Sequence, residues 1–135
     1  SRVFMNKTQI NGLKKIIFEE NTIDNITMFF SMLHMDREKH KLILKEIFRI
    51  LKPGGYVYIW DIELTKRGRN DLEFISIPLK VETKNEILSL KHTISRENKH
   101  KTIDYIIKII NSIGYEILSL EKDRSFCMIL HKKVK

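Results

Sequence analysis

Between Ile43 and Asp61 the chain changes its hydrophobic period, from that of a helix to that of a strand, with only a proline and two glycines in between. Ile43, Leu44, Ile47, Phe48, Ile50 and Leu51 recur at the three-and-four spacing that lines one face of a helix, while Lys45, Glu46, Arg49 and Lys52 fall on the other side. Pro53 disfavours further helix, and Gly54-Gly55 supply the backbone freedom of a tight reversal. Tyr56, Val57, Tyr58, Ile59 and Trp60 then form an aromatic and β-branched run typical of a buried strand. A helix therefore returns the chain directly into a sheet.

The rest of the chain supplies the same alternation. Val3-Phe4-Met5 reads as a short strand, and Ile23 to Phe30 as a strand entering the core with Asp24 at its mouth. Asp36 is placed to cap the helix that runs to Lys52, with Glu38 in its first turn complementing the helix dipole. Phe74 to Glu82 alternates apolar and polar, and Leu88, Leu90 and Ile94 repeat the pattern after the turn Thr83 to Glu86, so an inserted hairpin is expected over 72–95. Pro78 cannot donate to a ladder, which puts its strand at an edge. Thr102 caps a helix with Ile103, Ile106, Ile107, Ile110 and Ile113 on one face, and Gly114 stops it. Tyr115 to Leu120 and Phe126 to His131 close the chain as two strands.

A length of 135 residues, with neither a flexible linker nor an internal repeat, is read as a single domain over 1–135. The composition, 42% hydrophobic and 31% charged, is that of a soluble globular protein, and no apolar stretch is long enough for a bilayer, so no membrane partner is expected. Cys127 lies in the apolar run Phe126 to Leu130, where a buried side chain is expected; one cysteine excludes an internal disulfide, and a reducing cytoplasm fits. The chain begins without an initiator Met, as a processed or truncated polypeptide would. Its net charge of +8 suits a polyanionic partner, yet the lysines are scattered rather than clustered. No metal site is expected.

The residues Glu46, Ile47, Arg49, Leu51, Lys52, Pro53, Gly54 and Gly55 match the Glu-Ile-x-Arg-x-Leu-Lys-Pro-Gly-Gly segment of the class I S-adenosylmethionine-dependent methyltransferases. Phe18 to Asp24 resembles the turn that precedes the family's fourth strand, and Ile26 to Met35 resembles that strand with its Leu-His-His segment, in the same order and spacing. The resemblance implies an α/β fold, a Rossmann-like methyltransferase sheet in which the last strand is antiparallel between its two predecessors, and it extends from about Gln9 to Lys132. It implies S-adenosylmethionine as cofactor, with Phe30 and Ser31 beside the methyl donor at the carboxyl end of their strand, where open α/β sheets bind ligands. Asn11 stands where the family usually presents an Asp to the adenine, and is more readily read as a turn residue before Gly12. His34 is the substrate-side candidate of its segment, against a packing histidine, and Met35 departs from the second His. Asp61 emerges at the same sheet edge as Ser31, as a carboxylate that orients a substrate or accepts its proton, or as a cap for the next turn. Insertions after the fifth strand often cover the family's active site, which the resemblance extends to 72–95, while the basic loop Thr65 to Asn70 reads as solvated surface.

The family's Gly-x-Gly-x-Gly loop and its acidic ribose contact have no counterpart, because Gly12, Gly54, Gly55, Gly68 and Gly114 are not spaced for such a loop. The sequence thus resembles the C-terminal part of a methyltransferase, and by itself is expected to bind the cofactor weakly or not at all. Loss of the first strands is expected to strand Val3 to Met5 and bare the edge along Ile23 to Phe30, favouring a homo-oligomer through that edge. The leading expectation is methyl transfer to an unidentified acceptor, in which the protein contributes positioning and a dry site and no residue is obligatorily catalytic. The alternative is a noncatalytic RNA- or protein-binding module; assignment of Tyr56, Tyr58 and Trp60 to a buried strand weighs against base stacking on them.

Overall fold

The computed structural model describes residues 2–5, 18–32, 35–64, 74–82, 84–95 and 100–134. In chain order the elements are β1 (Arg2–Met5), β2 (Ile23–Phe29), α1 (Arg37–Ile50), β3 (Leu51–Asp61), β4 (Phe74–Glu82), β5 (Ile87–Ser95), α2 (Ile103–Ile113), β6 (Glu116–Lys122) and β7 (Phe126–His131). Strands β1, β2, β3, β7 and β6 lie side by side in that order; β1, β2 and β3 are parallel, and β7 is antiparallel to both β3 and β6. The last strand therefore inserts between its two predecessors, as the resemblance implied. β4 and β5 pair separately as an antiparallel hairpin, with Pro78 opposite Lys91 in a sheet whose two strands are both edges. Among the described residues no helix is long and apolar enough to cross a membrane.

The helix before β3 ends at Ile50 and not at Lys52, because Leu51 is already extended and pairs with Ile23. Its final carbonyls are taken up from outside: the Asn21 and Thr22 amides donate to Arg49 and Ile50 at 3.0 and 2.8 Å, and Lys132 Nζ donates to Phe48 and Leu51 at 2.7 and 2.8 Å. These contacts satisfy carbonyls that a helix end leaves unpaired. Asn21 supplies the left-handed conformation (φ 55°) that its turn requires. At the other end, Asp36 occupies the N-cap position with an extended backbone, but its side chain makes no capping hydrogen bond. The helix α2 is capped as expected. The Thr102 hydroxyl accepts from the Tyr105 amide at 3.2 Å, and Gly114 closes the helix at φ 116°.

Both helices bury their apolar stripes on one face of the sheet. Ile43, Leu44 and Ile47 of α1 and Ile106 and Ile110 of α2 meet Ile26, Met28, Val57, Ile59, Met128 and Leu130 in one core. The strand period then fixes the opposite face. Because Val57, Ile59 and Asp61 point at the helices, Tyr56, Tyr58 and Trp60 point away from them. Tyr56 and Trp60 are 36% and 46% exposed, which corrects the reading of this run as wholly buried; an aromatic run and an alternating strand with aromatics outside have the same composition. Cys127 pairs with Trp60 in register and is likewise exposed, not buried, since Phe126 and Met128 take the inward positions.

The edge left by the expected missing strands is also different. β1 runs alongside β2 with Arg2 opposite Asn25 through Met5 opposite Met28, so the Ile23 edge is covered for most of its length and Val3 to Met5 are not stranded. Backbone groups that would otherwise face solvent find partners in the nearest free segment.

Since Leu51 already pairs with Ile23, Pro53-Gly54-Gly55 is not a reversal between helix and strand but an irregularity inside β3, where the register shifts, and it needs both glycines. Gly54 has φ 90°, and its amide donates to Lys132 O at 2.6 Å; a Cβ on Gly55 would stand 2.7 Å from Asp24 O. Gly54→Val should cost about 1–3 kcal/mol in urea unfolding, whereas Lys52→Ala, at an exposed side chain, should stay within about 0.5 kcal/mol. Equal midpoints for the two variants would refute this account of the two glycines.

Candidate functional site at the carboxyl ends of β2 and β3

β2 and β3 are parallel and in register, so the residues that follow them emerge at one end of the sheet. The Phe30 amide donates to Trp60 O at 2.7 Å, and the Met32 amide donates to Asp61 Oδ2 at 3.0 Å. Ser31, buried, sits between these two contacts, so Phe30, Ser31 and Asp61 are brought together as the sequence predicts. Phe30 is held at φ 51°, a conformation costly for a bulky residue and imposed here by its bond to the neighbouring strand. Asn11, His34 and the basic loop 65–70 lie outside the described residues.

An aromatic cluster marks the outer side of this end. The rings of Phe29 and Phe30 meet edge-on at 4.7 Å, those of Phe29 and Trp60 at 5.1 Å, and the Trp60 indole donates to Ser125 Oγ at 2.8 Å. Phe29 is 48% exposed while Phe30 is buried, so only part of Met28-Phe29-Phe30 is core. Phe29, Trp60, Tyr58, Thr27, Cys127 and Ile129 border a shallow groove of about 290 Å³ along the sheet face opposite the two helices. Such rings offer flat, electron-rich faces to an adenine or a cation.

On the helix side the same end is polar and dry. Asp61 is 1% exposed; its Oδ1 accepts from the Ile62 amide at 2.8 Å and lies 3.3 Å from Lys101 Nζ, itself fully buried. Burial pushes the Asp61 carboxyl up and the Lys101 ammonium down, and their mutual attraction opposes both shifts. Lys101 is fixed by its backbone, since Leu64 and Lys101 exchange hydrogen bonds at 2.8 and 2.6 Å. Glu63, paired with Lys122, accepts from the Ile103 amide at 2.9 Å and so joins the start of α2 to the end of β3.

His40 closes the cluster. Its Nε2 lies 3.2 Å from Met32 O and 3.1 Å from Met35 O, and since both partners are acceptors the ring carries its proton on Nε2. Among the described residues its Nδ1 has no hydrogen-bond partner. Desolvation, then the nearby Lys101 charge, lowers the His40 pKa to about 4. Arg37 Nη1 donates to His100 O at 2.6 Å and its guanidinium lies 4.1 Å from the centre of the Tyr105 ring, whose hydroxyl bonds Arg37 O. Neither His40 nor Lys101 was singled out from the sequence. His40 could have been, because it continues the buried α1 stripe of Ile43, Leu44 and Ile47 at helical spacing. Lys101, in a run of His and Lys before the Thr102 cap, carries no such signal.

A second groove, at the opposite end of the sheet, is bordered by Phe48, Arg49, Lys132 and Lys133. Its cations are already engaged. Arg49 pairs with Glu46, Lys133 with Glu116, and Lys132 with Asn21 and two carbonyls.

Residues 5–59 match the family model described as Methyltransferase domain. A SAM-dependent methyltransferase from Methanosarcina mazei superposes with a TM-score of 0.60 at 16% identity, over 90% of this chain and 65% of its own. The fold is that of the class I methyltransferases. The cyclase SpnF shares it, with a TM-score of 0.58 at 14% identity over 90% of this chain and 53% of its own. A sterol 24-C-methyltransferase of Saccharomyces cerevisiae is 28% identical over 79% of this chain, which spans a quarter (25%) of that protein. The chain thus spans about two thirds or less of the solved methyltransferase-fold chains. The matched residues 5–59 contain Phe30 and Ser31 and stop two positions before Asp61.

His40 makes the methyltransferase fold acid-sensitive. The unfolded chain takes up this proton near pH 6.5 and the folded chain near pH 4, so the stabilisation is present above 6.5 and is lost as pH falls toward 4. From pH 7 to 4.5 the loss should be about 2–3 kcal/mol. Urea titrations of the natural chain and His40→Gln at both pH values check this: the glutamine variant should lose less by about that amount. Equal losses would mean that His40 is not buried neutral.

Proposed function

We propose that the chain is the carboxyl-terminal portion of an S-adenosylmethionine-dependent methyltransferase acting on an acceptor that is not identified. The observation that carries this reading is the junction of Phe30, Ser31 and the end of β3 at one sheet edge, within a fold whose matched residues 5–59 belong to a methyltransferase-domain model. The residues present fit one side of the cofactor. Phe29, Phe30 and Trp60 can flank an adenine or a sulfonium, and the Ser31 segment can wall off solvent. Among the described residues none supplies the ribose contact: Asp61, the buried carboxylate nearby, gives its oxygens to Met32, Ile62 and Lys101. Asn11 and His34 stay in the proposal as adenine-side and acceptor-side contacts.

When bound, S-adenosylmethionine supplies a methyl carbon already activated by its sulfonium, so displacement is in line and needs positioning more than acid–base chemistry. The Phe30 to Met32 segment orients the acceptor side and excludes water. Asp61, with its oxygens engaged, holds that segment in the proposal instead of taking the acceptor's proton. Cytoplasmic residence and pairing of copies through an exposed sheet edge belong to the same reading.

The alternative, a noncatalytic RNA- or protein-binding module, draws support from the exposed Phe29, Tyr56 and Trp60. Among the described residues no cationic side chain borders the groove beside Phe29 and Trp60, which favours an apolar partner over RNA. Titration calorimetry with this 135-residue chain and with a version extended at its amino terminus tests both readings. The extended chain should bind S-adenosylmethionine with a micromolar Kd and the present chain far more weakly; micromolar binding by the present chain as a monodisperse monomer would overturn the portion reading. Salt-sensitive RNA binding without cofactor binding by either chain would establish the alternative.

A further inference from the structure

The peptide of Met32 is held on both sides by buried polar groups from different elements. Its amide donates to Asp61 Oδ2 at 3.0 Å, and its carbonyl lies 3.2 Å from His40 Nε2. Asp61 comes from the end of β3 and His40 from α1. Lys101 Nζ lies 3.3 Å from the other oxygen of Asp61 and offsets part of the cost of burying that carboxyl. Lys101 is in turn seated by the reciprocal backbone bonds to Leu64, just where the chain leaves the segment that carries the β4–β5 hairpin.

We propose that Lys101 is a positioning residue of the candidate site. It acts through Asp61: by standing at Oδ1 it leaves Oδ2 turned toward the Met32 amide, fixes the Ser31–Met32 segment against the end of β3, and ties this segment to the exit of the inserted hairpin. A buried ion pair contributes little net stability over an apolar pair of similar volume, so its value here lies in the acceptor it presents to one amide. The consequence for methyl transfer rests on the proposed function; the hold on Met32 does not, and it is measurable without cofactor or acceptor.

The test is amide hydrogen exchange by NMR on the whole chain, comparing two double variants. D61N/K101M removes both charges but keeps an oxygen for Met32, whereas D61L/K101M removes the charges and the oxygen together. In D61N/K101M the Met32 amide should exchange within about threefold of the natural chain. In D61L/K101M it should exchange at least about tenfold faster, while Ile26 and Val57 in the core strands stay as slow as before. If D61L/K101M does not fold, D61T/K101M, whose hydroxyl is too short to replace the carboxylate oxygen, serves in the same comparison. K101M alone completes the set: with the carboxylate left unpaired, Met32 exchange should rise and return toward the natural rate in D61N/K101M. Equal Met32 exchange in the oxygen-bearing and oxygen-free variants, or no change in K101M, would overturn the role assigned to Lys101, and would leave the methyltransferase reading untouched.

Discussion

A carboxylate cannot be withdrawn from water into an apolar core unless its oxygens are met by donors and its charge by a cation. Asp61 meets that requirement at the end of β3, and the surrounding architecture follows from how it does so. The Met32 amide must come close, so the chain after β2 bends back through Phe30 in a left-handed conformation and stays beside β3. The Lys101 ammonium must also come close, so the segment before α2 is drawn in and bonded to Leu64. The outcome is a sheet end whose inner side is fixed by buried polar contacts and whose outer side is a row of aromatic rings.

Much of the framework was legible because local signals and tertiary demands agree. The need for glycine at Gly54-Gly55 could be read since a positive φ and a 2.7 Å approach to Asp24 O exclude most side chains there, although the segment forms an irregularity inside β3 and not the expected reversal. Thr102 and Gly114 could be read for similar reasons. The orientation of β3 could not. Periodicity of two says which residues share a face, and not which face is buried when aromatics occupy one side and Val57 and Ile59 the other. Within the site, Phe30, Ser31 and Asp61 were placed by the resemblance and by the carboxyl-end rule for open sheets. Lys101 escaped because a lysine that ends an insertion looks like any other surface lysine until its partner, forty positions away in sequence, is brought to it by the fold.

Fold and reaction are separate conclusions here. A sheet of this order accommodates a methyltransferase from Methanosarcina mazei and also the cyclase SpnF, both at identities too low to transfer chemistry. What distinguishes one member from another is the set of side chains at the carboxyl ends of β2 and β3 and in whatever chain approaches them. This protein presents aromatic faces there and a Met32 backbone bonded from behind by Asp61 and His40.

The bonds between Leu64 and Lys101 have a consequence for how the chain can vary. They close the intervening segment at its base, so the entropy of that closure grows only with the logarithm of its length, by roughly 0.6 kcal/mol for each doubling. The ends of β3 and α2 are therefore insulated from what is spliced between them. A relative could lengthen, shorten or replace the hairpin with little effect on the stability of the sheet, while the new segment would still rejoin the fold at Lys101, opposite Asp61.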